Sequence, residues 1–307
     1  MSDQESKAGY PIVLYHGVTS TQSDGIENFS GKHICVDIFE SQMKYIKTQM
    51  HAISLRTMSD ALMSNTPLPP GSVAITFDDS YKNIHSNALP ILKKYAIPAT
   101  FFLPTSFIGT NKRYWTDVLE HMINTTSVKT FEVDLLGEKR VYDVIGYDQK
   151  RQTVIDIKTF IKDNPDTDPQ WIMSNLKAKL GVYDSGNGVK NYENLSWIEV
   201  LKLDDPPLFE IGGHSVNHEI LSYLCQEKLS NEIVSCLDTL NEKLGHTVDL
   251  FSYPEGQEKH FNETVIKTLK KAGIKICPTA INGINYPGTD RFYLKRVMVG
   301  FMGIEFP

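Results

Sequence analysis

The stretch VAITFDDSYKNIHSNALPILKKYAIPATFFL, residues 73–103, decides the fold. It opens on an apolar, β-rich run at 73–77 and closes on another at 99–103. Between them, residues 84–95 carry Ile84, Leu89, Ile91 and Leu92 in a helical pattern. A strand, a helix and a strand joined by short links predict a parallel pair, because parallel strands need a long crossover and a helix supplies it. Two carboxylates, Asp78 and Asp79, stand directly after the first run. Neighbouring side chains of an extended chain point to opposite sides. Where the strand ends and the chain turns, however, both can reach one cavity. Like charges that close repel, and one pKa rises unless a cation sits between them. The pair is equally explained by one carboxylate capping a helix over 81–95 while the other faces water.

Working outward, apolar runs at 11–15, 208–211, 248–253 and 293–299 bring the total to six or seven strands. Helical patterns fall at 38–50, where Ile38, Phe39, Met43, Ile46 and Met50 lie near one face, and at 226–244 and 263–272. This alternation predicts a parallel sheet covered by helices, either a barrel or a doubly wound sheet. Residues 109–207 break the rhythm with a polar, helix-rich stretch that includes FEVDLLGEKRVYDV. SWIEVLKL at 196–203 opens with a capping box from Ser196 to Glu199. The chain reads as one domain over 1–307, interrupted by an insertion at about 110–195.

Composition narrows the function classes. The 307 residues are 41% hydrophobic and 22% charged, with a formal net charge of -6 and a pI near 5.9. That is a globular chain whose core needs no disulfides, with no basic footprint for nucleic acid. No run approaches the roughly 18 apolar residues of a membrane span. Cys35, Cys225, Cys236 and Cys277 form no C-x-x-C pair and are expected to be free, buried thiols. The opening MSDQESKAGYP has no apolar signal segment, so the expected location is cytoplasmic.

Three further stretches hold chemistry. EIGGHSVNHEIL at 210–221 places His214 and His218 four residues apart, on one face if the segment is helical. Two imidazoles and one Asp make the three protein ligands of an open zinc site. LFSYPEGQ at 250–257 ends a strand on a Pro-Gly turn, which either exposes backbone N–H groups toward a cavity, where they can steady an oxyanion, or simply ends the strand. PIVLYHGV at 11–18 sets His16 at the mouth of the first strand, a place where a histidine is as readily structural as catalytic.

Together, TFDD, HSVNH and SYPEG resemble, in order, the first three motifs of the polysaccharide deacetylases, carbohydrate esterase family four; IPATFFLP adds to the match. The resemblance implies a deformed (β/α)7 barrel with a helix-rich insertion, and metal-dependent removal of acetyl groups from an N-acetylated sugar or glycan. It implies Asp78 as general base, and Asp79, His214 and His218 as ligands of a divalent ion, Zn²⁺ by expectation. The chain lacks the family's late Leu-x-His motif, since its last histidine is His260. VLYHGV instead resembles the opening of the circularly permuted branch, which includes poly-N-acetylglucosamine deacetylases, and there His16 is the general acid. The Tyr253 backbone N–H then faces the oxyanion. Ser252 stands where the third motif usually has an arginine and Glu255 where it has a tyrosine, which leaves open what orients Asp78. Arg296, in FYLKRVMV, is the candidate; the alternative is an ordinary surface ion pair.

Tyr114, Trp115 and Tyr147 either line a sugar subsite or pack the insertion. The insertion follows the run 99–103 and is expected over the active face, narrowing it toward a short or precursor glycan. Three rivals remain at this level: a deformylase or deacylase of a sugar precursor, an inactive carbohydrate-binding relative, and a non-haem iron enzyme with a two-His, one-carboxylate site. In the iron reading the second Asp and His16 have no task.

Overall fold

In the computed structural model, residues 9–184 and 186–307 are described. The larger of two units comprises 9–20, 30–110 and 194–307. Its five main strands pair in parallel in the order Val297–Met298, Ile12–Tyr15, Ser72–Asp78, Ala99–Leu103, Phe209–Gly213. The short strand His51–Ala52 pairs with the start of Ser72–Asp78. Every residue of Ser72–Asp78 is buried. That explains its unbroken apolar run: a parallel strand covered on both faces shows no polar alternation. One face carries the ring series Tyr15, Phe77, Phe101 and Phe209, with Phe39 of helix Val36–Gln49 packed edge-on to Tyr15. The other face begins at an apolar layer of Ile12, Ala74, Phe102, Leu250, Ile276 and Leu294.

The helix predicted over 84–95 forms in two parts, a π-helical stretch Ile84–Ala88 and an α-helix Leu89–Tyr95. Pro90 explains the join. It has no N–H to give and its ring crowds the carbonyl four residues back, so the preceding turn widens and Leu89 N–H bonds Ile84 O instead. The helices expected at 226–244 and 263–272 are Gln226–Leu244 and Glu263–Lys271. Helix Trp197–Leu203 starts on the Ser196/Glu199 capping box.

The runs 248–253 and 293–299 are less regular than expected. The first makes only the bridges Gly213↔Phe251 and Leu250↔Ile276, and the second keeps two strand residues, Val297–Met298. Hydrogen bonds continue across the gap, from Phe251 N–H to Ile276 O, Cys277 N–H to Arg291 O, Thr279 N–H to Leu294 O and Arg296 N–H to Ile281 O. The described strands form a parallel α/β sheet that does not close as a regular barrel.

The second unit is made of 21–29 and the described residues of 111–193. FEVDLLGEKRVYDV is a hairpin, not helical: Thr130–Leu135 pairs antiparallel with Glu138–Asp143. The alternating burial of Thr130–Leu135 is a strand signature. Leu136 and Gly137, both at positive φ, make the two-residue turn. Helices Trp115–Thr125, Tyr147–Asp163 and Pro169–Leu180 complete a core with Leu119, Met122, Val154, Ile157 and Leu176. Trp115 packs against that core and Tyr114 is buried, while Tyr147 is exposed. All four cysteines are free, but only Cys236 and Cys277 are buried. Cys35 and Cys225 are exposed; each stands at the position before the first turn of a helix, with no capping bond from its thiol. No described helix is long and apolar enough to cross a membrane.

Candidate active site

The carboxyl ends of adjacent parallel strands gather the polar side chains, the usual place for a site in such sheets. Ser72–Asp78 ends on Asp78, and Asp79 follows at φ 72°. A non-glycine residue in that left-handed region costs about 1–3 kcal/mol and needs the surroundings to hold it. The turn brings both carboxylates to one place: Asp78 Oδ2 and Asp79 Oδ1 each lie 3.9 Å from His214 Nε2.

His214 follows Phe209–Gly213 directly. A Cβ at Gly212 would sit 2.5 Å from the Phe102 ring, so only glycine lets this strand pack so close. The segment 214–218 is a loop, not a helix, and the shared face of His214 and His218 comes from two positive-φ residues, Ser215 and His218. His218 Nε2 is 3.4 Å from Asp79 Oδ1 and the two imidazole centroids are 4.8 Å apart. One ligand atom each from Asp79, His214 and His218 lies within 4.8 Å of the other two. His214 Nδ1 is 2.8 Å from the Ser252 carbonyl. A carbonyl only accepts, so Nδ1 carries the proton and the Nε2 lone pair faces the two carboxylates, as a metal-ligating imidazole requires. Burial lowers the His214 pKa and keeps that lone pair free. This donor set, two imidazole nitrogens and a carboxylate, fits a divalent cation of the zinc type.

Arg296 is not part of a surface pair. It is fully buried, and its guanidinium donates to both oxygens of Asp78, at 2.7 Å each. Nη2 also donates to Ser252 Oγ at 2.8 Å, Nη1 to Thr76 Oγ1 at 3.2 Å, and Nε to the Thr279 carbonyl at 2.6 Å. Ser252 Oγ in turn donates to Asp78 Oδ2 at 3.2 Å. The inner face of one strand thus runs from Ala74 in the apolar layer, through Thr76 on the guanidinium, to Asp78 at the open end. Burial raises the Asp78 pKa, but Arg296, with His214 and His16, outweighs it and holds the carboxyl at about 2.

His16 comes next after Tyr15, which pairs in register with Phe77, so it stands beside Asp78. Burial drives its pKa down to about 3; Asp78 opposes this, while Lys32, Arg296 and His214 add to it. Residues 17–19 are held by a group the sequence reading passed over. Gly17–Thr19 pairs with His33–Cys35. Val18 N–H donates to Asn83 Oδ1 at 3.3 Å, and Asn87 Nδ2 donates to Val18 O at 2.7 Å. Asn83 Nδ2 donates to His33 Nδ1 at 2.9 Å. Gly17 carries the sequence signal: a Cβ there would lie 2.0 Å from His33 Nδ1. The Tyr253 side chain turns away from this cluster, stacked on Phe261 and bonded to the Phe292 carbonyl. The side chain therefore takes no part in the cluster.

Comparison with known proteins bears on the family and the fold. The sequence model described as polysaccharide deacetylase matches residues 65–134 and 170–277, more than half the chain. Asp78, Asp79, His214, His218 and Tyr253 lie in the matched segments; His16 and Arg296 lie outside them. The chain is 40% identical over 91 residues to a poly-β-1,6-N-acetyl-D-glucosamine N-deacetylase of Staphylococcus aureus, a match covering 29% of this chain and 30% of that relative. The chain thus spans under a third of that curated relative's length. Two solved structures share the fold at 18% identity. Streptococcus pyogenes deacetylase PplD in complex with acetate has a TM-score of 0.58, over 96% of this chain and 93% of that one. IcaB from Ammonifex degensii has 0.59, over 95% and 92%.

Proposed function

The chain belongs to the polysaccharide deacetylase family, and on that footing we propose that it is a divalent-cation-dependent hydrolase that removes N-acetyl groups from an amino-sugar glycan. The observation that carries this reading is the carboxylate Asp78, clamped by Arg296 and 3.9 Å from an imidazole of the Asp79–His214–His218 triangle. One acidic group is kept for proton transfer while its neighbour is left to a cation. A poly-β-1,6-N-acetylglucosamine chain, the substrate in the relatives' names, is the first candidate.

Asp79, His214 and His218 would hold the cation, and Zn²⁺ suits their donor atoms. Bound there, it supplies Lewis acidity that polarises an acetamide carbonyl and makes water easier to deprotonate. The rest falls to the chain's own residues. Asp78 takes a proton from the attacking water, while Arg296 and Ser252 fix the direction of its lone pairs. The Tyr253 backbone N–H lies one residue beyond Ser252 and serves as donor to the developing oxyanion. His16 delivers a proton to the amine nitrogen, a poor leaving group without one. Its low pKa makes it neutral in the free protein near neutral pH, so the proton it delivers must be the one Asp78 takes from the attacking water, passed on within the substrate complex.

The test is acetate release from N-acetylglucosamine oligomers of graded length, with and without chelator. Release that stops with chelator and returns with Zn²⁺ supports the reading. Formate release from N-formyl sugars with no acetate release would replace it by a deformylase.

A further inference from the structure

The span between His214 and His218 is held from behind. Glu232 lies in helix Gln226–Leu244, whose buried residues Leu229, Ile233, Cys236, Leu237 and Leu240 form its inner face. Glu232 falls on that same face and is only 4% exposed. A carboxylate on an apolar helix face needs compensation, because a buried charge is costly unless it is paired or fully hydrogen-bonded. Its partners are three N–H donors of the histidine loop. Val216 N–H and Asn217 N–H donate to Oε2 at 3.0 and 2.7 Å, and Asn217 Nδ2 donates to Oε1 at 2.6 Å. The other side of the same loop is held by Thr105 N–H on Ser215 O and Ser106 N–H on Val216 O. His218 N–H closes the turn on Ser215 Oγ at 2.9 Å.

We propose that Glu232 is a positioning residue of the cation site: by gripping residues 216 and 217 it fixes His214 and His218 at ligating separation before any ion arrives. The proposal rests on the reading of Asp79, His214 and His218 as ligands. The loop needs it because Ser215 and His218 both adopt φ near +60°, a region that residues with a Cβ avoid. Left free, the span would relax toward ordinary backbone and the imidazoles would part. Binding would then include the ordering of the loop, which lowers affinity. Held by Glu232, that ordering belongs to folding.

The experiment is competition for Zn²⁺ between the metal-stripped full chain and a chromogenic chelator, with circular dichroism and thermal melting on each variant. Glu232→Gln keeps the size but turns an N–H₂ toward backbone donors; it is expected to lower Zn²⁺ affinity tenfold to hundredfold, the range typical of residues behind metal ligands, while the fold persists. Asn217→Ala removes one of the three bonds without changing charge and is expected to lower affinity several-fold. It decides the matter if Glu232→Gln does not fold. Wild-type Zn²⁺ affinity in a folded Glu232→Gln, or in Asn217→Ala where that variant decides, overturns the proposal. Wild-type affinity in Asp79→Ala would instead overturn the ligand reading beneath it.

Discussion

Arg296 and Asp78 meet through two parallel hydrogen bonds of 2.7 Å, with both side chains buried. A guanidinium matches a carboxylate in this way and an ammonium does not, so lysine is no substitute. Arg296→Met is expected to lower stability by about 3–5 kcal/mol, the usual cost of stranding one partner of a buried pair. Arg296→Lys keeps the charge but loses the fork, and turnover should fall with only part of that destabilisation. Denaturant melts beside acetate-release rates check both. A folded Arg296→Lys with wild-type turnover would show that orientation of Asp78 is not what Arg296 supplies.

The cation ligands should act as one unit. Asp79→Ala, His214→Ala and His218→Ala are each expected to lose bound metal and turnover together, as read by elemental analysis of the purified protein. Stripping the wild type should lower its melting temperature, and adding Zn²⁺ back at about a hundred times its Kd should restore about 2.7 kcal/mol. Full metal occupancy in His214→Ala would remove it from the ligand set.

Asp78 and His16 should part company with the ligands. Asp78→Asn and His16→Ala are expected to retain the ion and lose about 10²–10⁴-fold in turnover, the range for a general base or acid. For His16→Ala the loss should shrink on an aryl acetate, whose leaving group needs no proton. An equal loss on amide and aryl ester would return His16 to a structural role.

Stability should depend on pH through the buried histidines. Burial is the chief cause that lowers the pKa of His16, to about 3, and of His33 and His214. Below about 6.5 the unfolded chain takes up protons that these folded rings refuse, so the unfolded state binds more protons. Stability of the metal-free protein is therefore full above about pH 6.5 and declines as pH falls toward the folded values. His33→Gln should make the decline shallower, whatever its effect at pH 7. Urea melts between pH 4 and 7.5 give the slopes, and an unchanged slope would refute the assignment for His33.

How much of this could be read from the residues differs from place to place. The 73–103 unit was plain because strand and helix periodicities differ and both runs are fully buried. The residues of the proposed ligand set stand out as motifs, but the geometry that gathers them does not. The spacing of His214 and His218 suggests a helix, and the loop that replaces it depends on positive-φ residues that spacing cannot reveal. The hairpin at 130–143 was obscured because its strand Glu138–Asp143 keeps no residue fully buried, so the polar side dominates the composition. Arg296 could be named only as a candidate, since its burial depends on Thr76, Ser252 and Thr279 meeting it from distant segments. Glu232 left a trace, a single charge on an otherwise apolar helix face, whereas Asn83 and Asn87 left none.

The clamp also bears on the order in which the protein matures. Asp78 and Arg296 are 218 positions apart in the chain, whereas all three proposed cation ligands have been made by residue 218. Contacts this remote must bear the loop-closure entropy before they return any stabilisation, and they are slow to form. During synthesis, a chain that has emerged to about residue 280 carries the three proposed ligands and Ser252, but not the guanidinium that grips both oxygens of Asp78. On the proposed reading it could hold an ion while Asp78 has only the single Ser252 hydroxyl to orient it. On this scheme the two-bond grip on Asp78 follows the assembly of the proposed ion site.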